Sequence, residues 1–176
     1  FIKEWGMEQF VRDNRINMIY EGTNTIQSLD LLGRKVLGNN GATLQKFGKL
    51  VGKLVAEEGV NEKMAEFINP IAYLGDQMTK FTTEIGFKGY QNPDEIGAAA
   101  VDYLRVAGHL VFGYFWARMA QTALREIAAG NTDPFYVAKL QTARFYFAKL
   151  FPETATLMRT ARAGSKVLID TAAALA

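Results

Sequence analysis

NPDEIGAAAVDYLRVAGHLVFGYFWARMAQTALREIAAGN, residues 92–131, is the stretch that decides the fold class. Asn92 is a helix N-cap residue type. Pro93 suits the first helical position, and Asp94 and Glu95 put negative charge in the first turn, where unpaired N–H groups favour it. Gly130 and Asn131 supply the stop, so the pattern predicts one helix reaching Ala129. Inside it lies the apolar run VAGHLVFGYFWA, residues 106–117, followed by Arg118. That run falls short of the roughly 20 residues needed to span a bilayer and reads as a helix buried on most sides. His109 on this apolar face reads as a satisfied core histidine. Phe112, Tyr114, Phe115 and Trp116 crowd neighbouring turns, and burial in a bundle or against another subunit explains them better than base stacking. Phe145, Tyr146 and Phe147 read the same way.

Helical periodicity continues in both directions, and strand signals are nearly absent. Downstream, NTDP at residues 131–134 starts a helix reaching about Leu150. Pro152 opens another that ends near Gly164, and a weaker helical tail follows. Upstream, a helix over residues 61–85 contains Pro70, which is expected to kink or split it. GFKGYQNPDE, residues 86–95, reads as a loop. Leu44, Phe47, Val51, Leu54 and Val55, spaced by three and four, mark a helix over residues 42–58 that Gly59 ends. Ile26, Leu29, Leu32, Val36 and Leu37 mark one over residues 24–37, stopped by Gly38, Asn39, Asn40 and Gly41. A short helix over residues 2–14 comes first, and residues 15–22 read as a turn or extended connector. The fold class is all-α, a helical bundle. The best internal boundary is residues 38–41, dividing the chain into 1–41 and 42–176.

Composition bounds the function. Of 176 residues 49% are hydrophobic, enough for a packed core. Twenty basic and 18 acidic residues leave a net charge of +2 with no clustered Lys/Arg patch, which gives no electrostatic case for nucleic acid. There is no cysteine, which excludes disulfides and thiol catalysis and fits a reducing cytoplasm. One histidine and no cysteine argue against a zinc site, so no metal is expected. Glu57, Glu58, Glu62 and Lys63 read as a solvated face, and Asp30 with Arg34 as an i,i+4 pair. The chain opens at FIKEW, already in amphipathic register, and is expected to be the C-terminal part of a longer protein.

The chemistry concentrates in RINMIYEGTNTIQ, residues 15–27. Glu21 stands between an apolar run (Ile16, Met18, Ile19, Tyr20) and Gly22. A solvated glutamate has a pKa of about 4.3 and is a poor base, but burial raises that value, each unit corresponding to about 1.4 kcal/mol. Gly22 lets a ligand approach the backbone closely. Thr23 and Asn24 open a helix whose free N–H groups suit phosphates. That is the layout a base needs if its substrate carries a nucleotide. Spacing alone leaves a second reading open, a solvated turn glutamate, because EGT is a short and common string.

RDNRINMIYEGTNTIQSLDLLGRKVL, residues 12–37, resembles the C-terminal segment of the flavin-dependent acyl-CoA dehydrogenases. The matching residues are Arg12, Asp13, Arg15 and Ile16, then Ile19, Tyr20, Glu21, Gly22, Thr23 and Asn24, then Ile26, Gln27, Gly33, Arg34 and Lys35. TARFYFAKLFPET, residues 142–154, resembles the extra C-terminal helical domain of the branch that includes the 3-methylmercaptopropionyl-CoA dehydrogenases. The resemblance implies that Glu21 is the catalytic base, that Gly22 touches substrate, and that Thr23, Asn24 and Thr25 contact the flavin nucleotide of FAD. Thr25 stands where many relatives carry glutamine. Arg12, Asp13 and Arg15 read as a salt-bridged helix end that positions the connector. The resemblance further implies an acyl-CoA substrate, electron-transferring flavoprotein as electron acceptor, and a homodimer or homotetramer. Most of the flavin pocket would lie in the domains before this segment, so the chain alone is expected to be inactive. The competing class is a helical interaction or oligomerisation module without catalysis.

Overall fold

The computed structural model describes residues 3–19 and 23–175. A 3₁₀ turn, Lys3–Trp5, precedes α1 (Glu8–Ile19) and α2 (Asn24–Leu29). α2 runs straight into a π-helical stretch, Asp30–Val36, and a 3₁₀ turn, Leu37–Asn39. Then come α3 (Ala42–Glu58), α4 (Ala65–Gln91) and α5 (Asp94–Ala128). α6 (Pro134–Phe145) passes into a second π-helical stretch, Tyr146–Leu150, followed by α7 (Glu153–Ala161) and α8 (Lys166–Leu175). No strand occurs among the described residues, as the periodicity predicts.

α5 packs against α2, α4, α6 and α7, and α3 lies on α4. α5 begins one residue later than the sequence predicts, with Pro93 at the N-cap position, and Asn92 still serves its start: Oδ1 accepts from the Asp94 N–H at 3.2 Å. Tyr103, Val106, Leu110, Gly113, Ala117 and Ala120 recur by three and four and are all buried. Gly113 is where α5 meets its neighbours most closely. A Cβ there would fall 2.7 Å from the Phe151 ring and 3.0 Å from Ile71. One apolar cluster runs from Leu32 and Val36 through α3, α4 and α5 to Leu157 and Ala161. Tyr103 stacks on Phe81 at 5.7 Å between ring centroids, and its hydroxyl meets Thr82 Oγ1 at 2.7 Å.

Four expectations change. Residues 15–19 are not a connector, because α1 continues to Ile19. Its i,i+4 pairs, Arg12 to Glu8 at 2.7 Å and Gln9 to Asp13 at 2.7 Å, support the helix. Pro70 lies within α4, which runs unbroken through it. Phe67, Ile68, Ile71 and Leu74, all buried, hold that turn while the proline removes one helical donor. Residues 86–91 are helix and not loop. Their glycines answer to packing: a Cβ at Gly89 would lie 2.5 Å from Ile96 Cγ1, and one at Gly86 3.2 Å from Leu37 Cδ2. Finally Phe112, Phe115 and Phe145 are more than half exposed, whereas Tyr146 and Phe147 are buried.

The turn at residues 38–41 is as expected. Asn40 (φ 54°) and Gly41 (φ 75°) adopt the left-handed conformation that ends one helix and starts the next.

Candidate functional site

Tyr20, Glu21 and Gly22 lie outside the described residues. The flanks are defined. α1 buries none of its side chains, and Phe10, Ile16, Met18 and Ile19 are exposed along it. Across the gap, Thr23, Asn24 and Thr25 are exposed at the head of α2. The Gln27 N–H donates to the Thr23 carbonyl at 2.8 Å, closing the first turn.

What fixes this head in place is the turn behind it. Ser28 is fully buried, and its hydroxyl donates to the Thr25 carbonyl at 2.7 Å. A buried hydroxyl needs such a partner. One turn further, Leu32 and Val36 enter the core. On the opposite face Asp30 is paired with Arg34 at 2.5 Å and Lys35 at 2.9 Å. The Lys35 bond, with Arg34, holds the Asp30 carboxyl below its usual range. The polar residues Thr23–Thr25 are thus presented outward by a helix anchored on α5, next to the exposed apolar Ile26 and Leu29.

The other residues singled out in the sequence do not join this site. His109 is fixed within the bundle: Nδ1 lies 3.0 Å from the Tyr146 hydroxyl and Nε2 3.1 Å from Glu153 Oε2. The Tyr146 hydroxyl also donates to the His109 carbonyl at 3.3 Å. Burial pushes the Tyr146 phenol up to about 12, so it remains a donor. Glu153 pairs with Arg105 as well, so the cluster ties α5 to the second π-helical stretch and α7. Of the charges read as solvated, Glu57, Glu62 and Lys63 are exposed, but Glu58 accepts from Gln121 at 2.6 Å and Asn61 at 2.7 Å. No group of three or more potential metal ligands occurs among the described residues.

A feature the sequence reading passed over is a cleft of about 1090 Å³ between α3 and α4. Gly48, Gly52, Gly75 and Gly86 line its walls, and Val51, Met78 and Leu110 reach its floor. The signal was present as glycines at helical spacing on both helices, which read as breakers and ordinary helix residues.

Fold and site together define an all-α bundle that buries no charged side chain among its described residues and presents a polar helix head at one end. The chain belongs to the acetyl-CoA dehydrogenase C-terminal-like family, whose pattern matches residues 43–172. It is 35% identical over 157 residues to 3-methylmercaptopropionyl-CoA dehydrogenase of Ruegeria pomeroyi, covering 87% of this chain and 26% of that protein. It is 24% identical over 162 residues to the broad-specificity linear acyl-CoA dehydrogenase FadE5 of Mycobacterium tuberculosis, covering 86% and 26%. A butyryl-CoA dehydrogenase of Syntrophomonas wolfei is 25% identical over 177 residues, covering 97% and 28%. The chain therefore spans about a quarter of the length of the curated relatives it matches. No helix among the described residues is long and apolar enough to cross a membrane.

Proposed function

We propose that this chain is the C-terminal part of an FAD-dependent acyl-CoA dehydrogenase, with residues 1–41 closing its catalytic helical domain and residues 42–176 forming an appended one. The observation that carries the reading is the exposed Thr23–Thr25 head, locked to the bundle through Ser28, Leu32 and Val36, directly after Glu21 and Gly22. The relatives named as acyl-CoA dehydrogenases support it.

In this reading Glu21 is the base. It removes the proton from the carbon next to the thioester carbonyl of an acyl-CoA, and the product is the α,β-enoyl thioester. FAD, when bound, supplies the hydride acceptor for the neighbouring carbon. The residues present fit a flavin nucleotide: Thr23 and Thr25 offer hydroxyls and Asn24 an amide, all exposed at a helix head. Gly22, having no side chain, would let the substrate approach the protein backbone closely. The apolar residues of α1, exposed in this chain, would be covered by the preceding domains, excluding water from the carboxylate and raising its pKa toward its task. Electron-transferring flavoprotein is the proposed acceptor.

The test is Glu21→Gln in the intact enzyme. The variant keeps its flavin but acyl-CoA no longer bleaches it; normal bleaching would refute the assignment. The 176-residue chain mixed with FAD leaves flavin fluorescence unchanged, and micromolar binding would overturn the fragment reading.

A second reading, a module for subunit assembly, is favoured by Phe112 and Phe115, both more than half exposed on α5. Light scattering on the eluting chain tests it, and a strict monomer counts against it.

A further inference from the structure

The cleft between α3 and α4 has no role in the reaction above. Its lining on α4 extends from Ala72 to Tyr90, about 27 Å at 1.5 Å per residue. Its volume of about 1090 Å³ slightly exceeds the roughly 300–1,000 Å³ usual for small-molecule pockets. Val51, Met78 and Leu110 close its floor, being only 4%, 1% and 3% exposed. A long and mostly apolar trough of this kind takes an extended alkyl chain along its open walls.

The walls suit such a chain. A Cβ added at Gly48 or Gly52 would meet nothing within 4 Å, so open space stands over both. Thr79 and Thr83 also line the cleft, but their hydroxyls donate to the Gly75 and Thr79 carbonyls at 3.1 Å within the helix. The charges are uneven. Asp76 is the lining carboxylate, and Lys80 neutralises it at 2.6 Å. Lys49 is the lining cation, and no carboxylate among the described residues pairs with it. The result is an apolar trough with one uncompensated ammonium on its wall.

We propose that the α3–α4 cleft binds one long-chain carboxylate, its alkyl tail laid along the glycine-lined trough and its head group on Lys49. Apolar burial provides most of the affinity. The exposed Lys49 adds the preference for an anion. The inference does not depend on Glu21 being a base.

The test is titration of the 176-residue chain with the fluorescent long-chain carboxylate cis-parinarate, below its micellar range, with laurate and dodecylamine, equal in chain length, as competitors. Saturable binding at one site per chain is expected, with laurate displacing the probe better than dodecylamine. Lys49→Gln raises the dissociation constant about threefold to fivefold, the scale of one exposed ion pair. Gly48→Leu with Gly52→Leu fills the trough and abolishes the signal. Leucine is the better helix former, so the melting temperature of that variant does not fall. Should the filled variant lose stability, Lys49→Gln still decides. Absence of saturable binding by the folded chain overturns the proposal, as does equal binding by the variants. It also fails if filling the trough leaves probe binding unchanged and instead converts a dimer to a monomer in light scattering, which would mark a helix-packing face.

Discussion

Gly89→Ala compared with Gly52→Ala separates two uses of glycine in the same pair of helices. Replacing a helix-interior glycine by alanine contributes about 1 kcal/mol of stability from backbone propensity alone. At Gly52 nothing lies within 4 Å of the new methyl group, so that gain is realised. At Gly89 the methyl group would stand 2.5 Å from Ile96 Cγ1 and 2.7 Å from Ile96 Cδ1. Ile96 Cγ1 is next to the β-carbon, so relief requires turning the whole side chain or separating α4 from α5. Overpacking of this kind costs about 1–3 kcal/mol. The net expectation is about 1 kcal/mol of destabilisation for Gly89→Ala and about 1 kcal/mol of stabilisation for Gly52→Ala. For a chain of this size that is a drop and a rise of about 2–4 °C in melting temperature. Thermal unfolding followed by circular dichroism at 222 nm reads both. If Gly89→Ala melts at or above Gly52→Ala, the close approach of Gly89 to Ile96 is wrong, and with it the account of why residues 86–91 are helical.

The remaining predictions concern single contacts. Gly113→Ala meets Phe151 and Ile71 together, two neighbours from different elements, and should cost about 2–3 kcal/mol, read as a lower urea midpoint at unchanged slope. Tyr103→Phe should cost only about 1 kcal/mol by the same measurement, because Thr82 keeps its 2.7 Å bond to the Met78 carbonyl. The Ser165 hydroxyl, at 2.6 Å, and its N–H, at 2.9 Å, hold the Glu95 carboxyl below its ordinary 4.5. A depressed carboxyl stabilises the fold above its unfolded value and loses that contribution as pH falls through the lower folded value. Melting temperature should therefore fall below pH 4.5 in the wild type and fall less steeply in Glu95→Gln.

Much of this fold was legible because its signals are local. The Asn92–Pro93–Asp94–Glu95 start, the 3–4 spacing of Leu44 to Val55 and the left-handed Asn40–Gly41 turn each act within a few residues. What misled the reading was glycine and β-branched residues whose roles are set by distant partners. Gly86 and Gly89 look like breakers until Leu37 and Ile96 are placed against them. Ile16 and Ile19 mislead for a different reason: they are β-branched and stand just before Glu21–Gly22, while the pairs that support α1, Glu8 with Arg12 and Gln9 with Asp13, lie upstream of them. Phe112 and Phe115 look buried because composition cannot say which arc of an apolar helix faces its neighbours. Thr23, Asn24 and Thr25 were legible as a helix head, but Ser28, the buried hydroxyl that steadies them, carried no mark in the sequence. The cleft was the least visible feature, since it depends on how far α3 stands from α4.

The π-helical stretch from Asp30 to Val36 bears on how this polypeptide tolerates changes in length. Each wide turn takes up a residue that an α-helix would have no place for. Leu32 and Val36 are fastened inside, so the angular phase of everything upstream is counted from them. Excising one residue from that stretch would let it relax to ordinary winding with Thr23–Thr25 kept at nearly the same angular phase. A second deletion, with no wide turn left to absorb it, would swing that head by about 100° around the axis, and whatever meets it would find it pointing elsewhere.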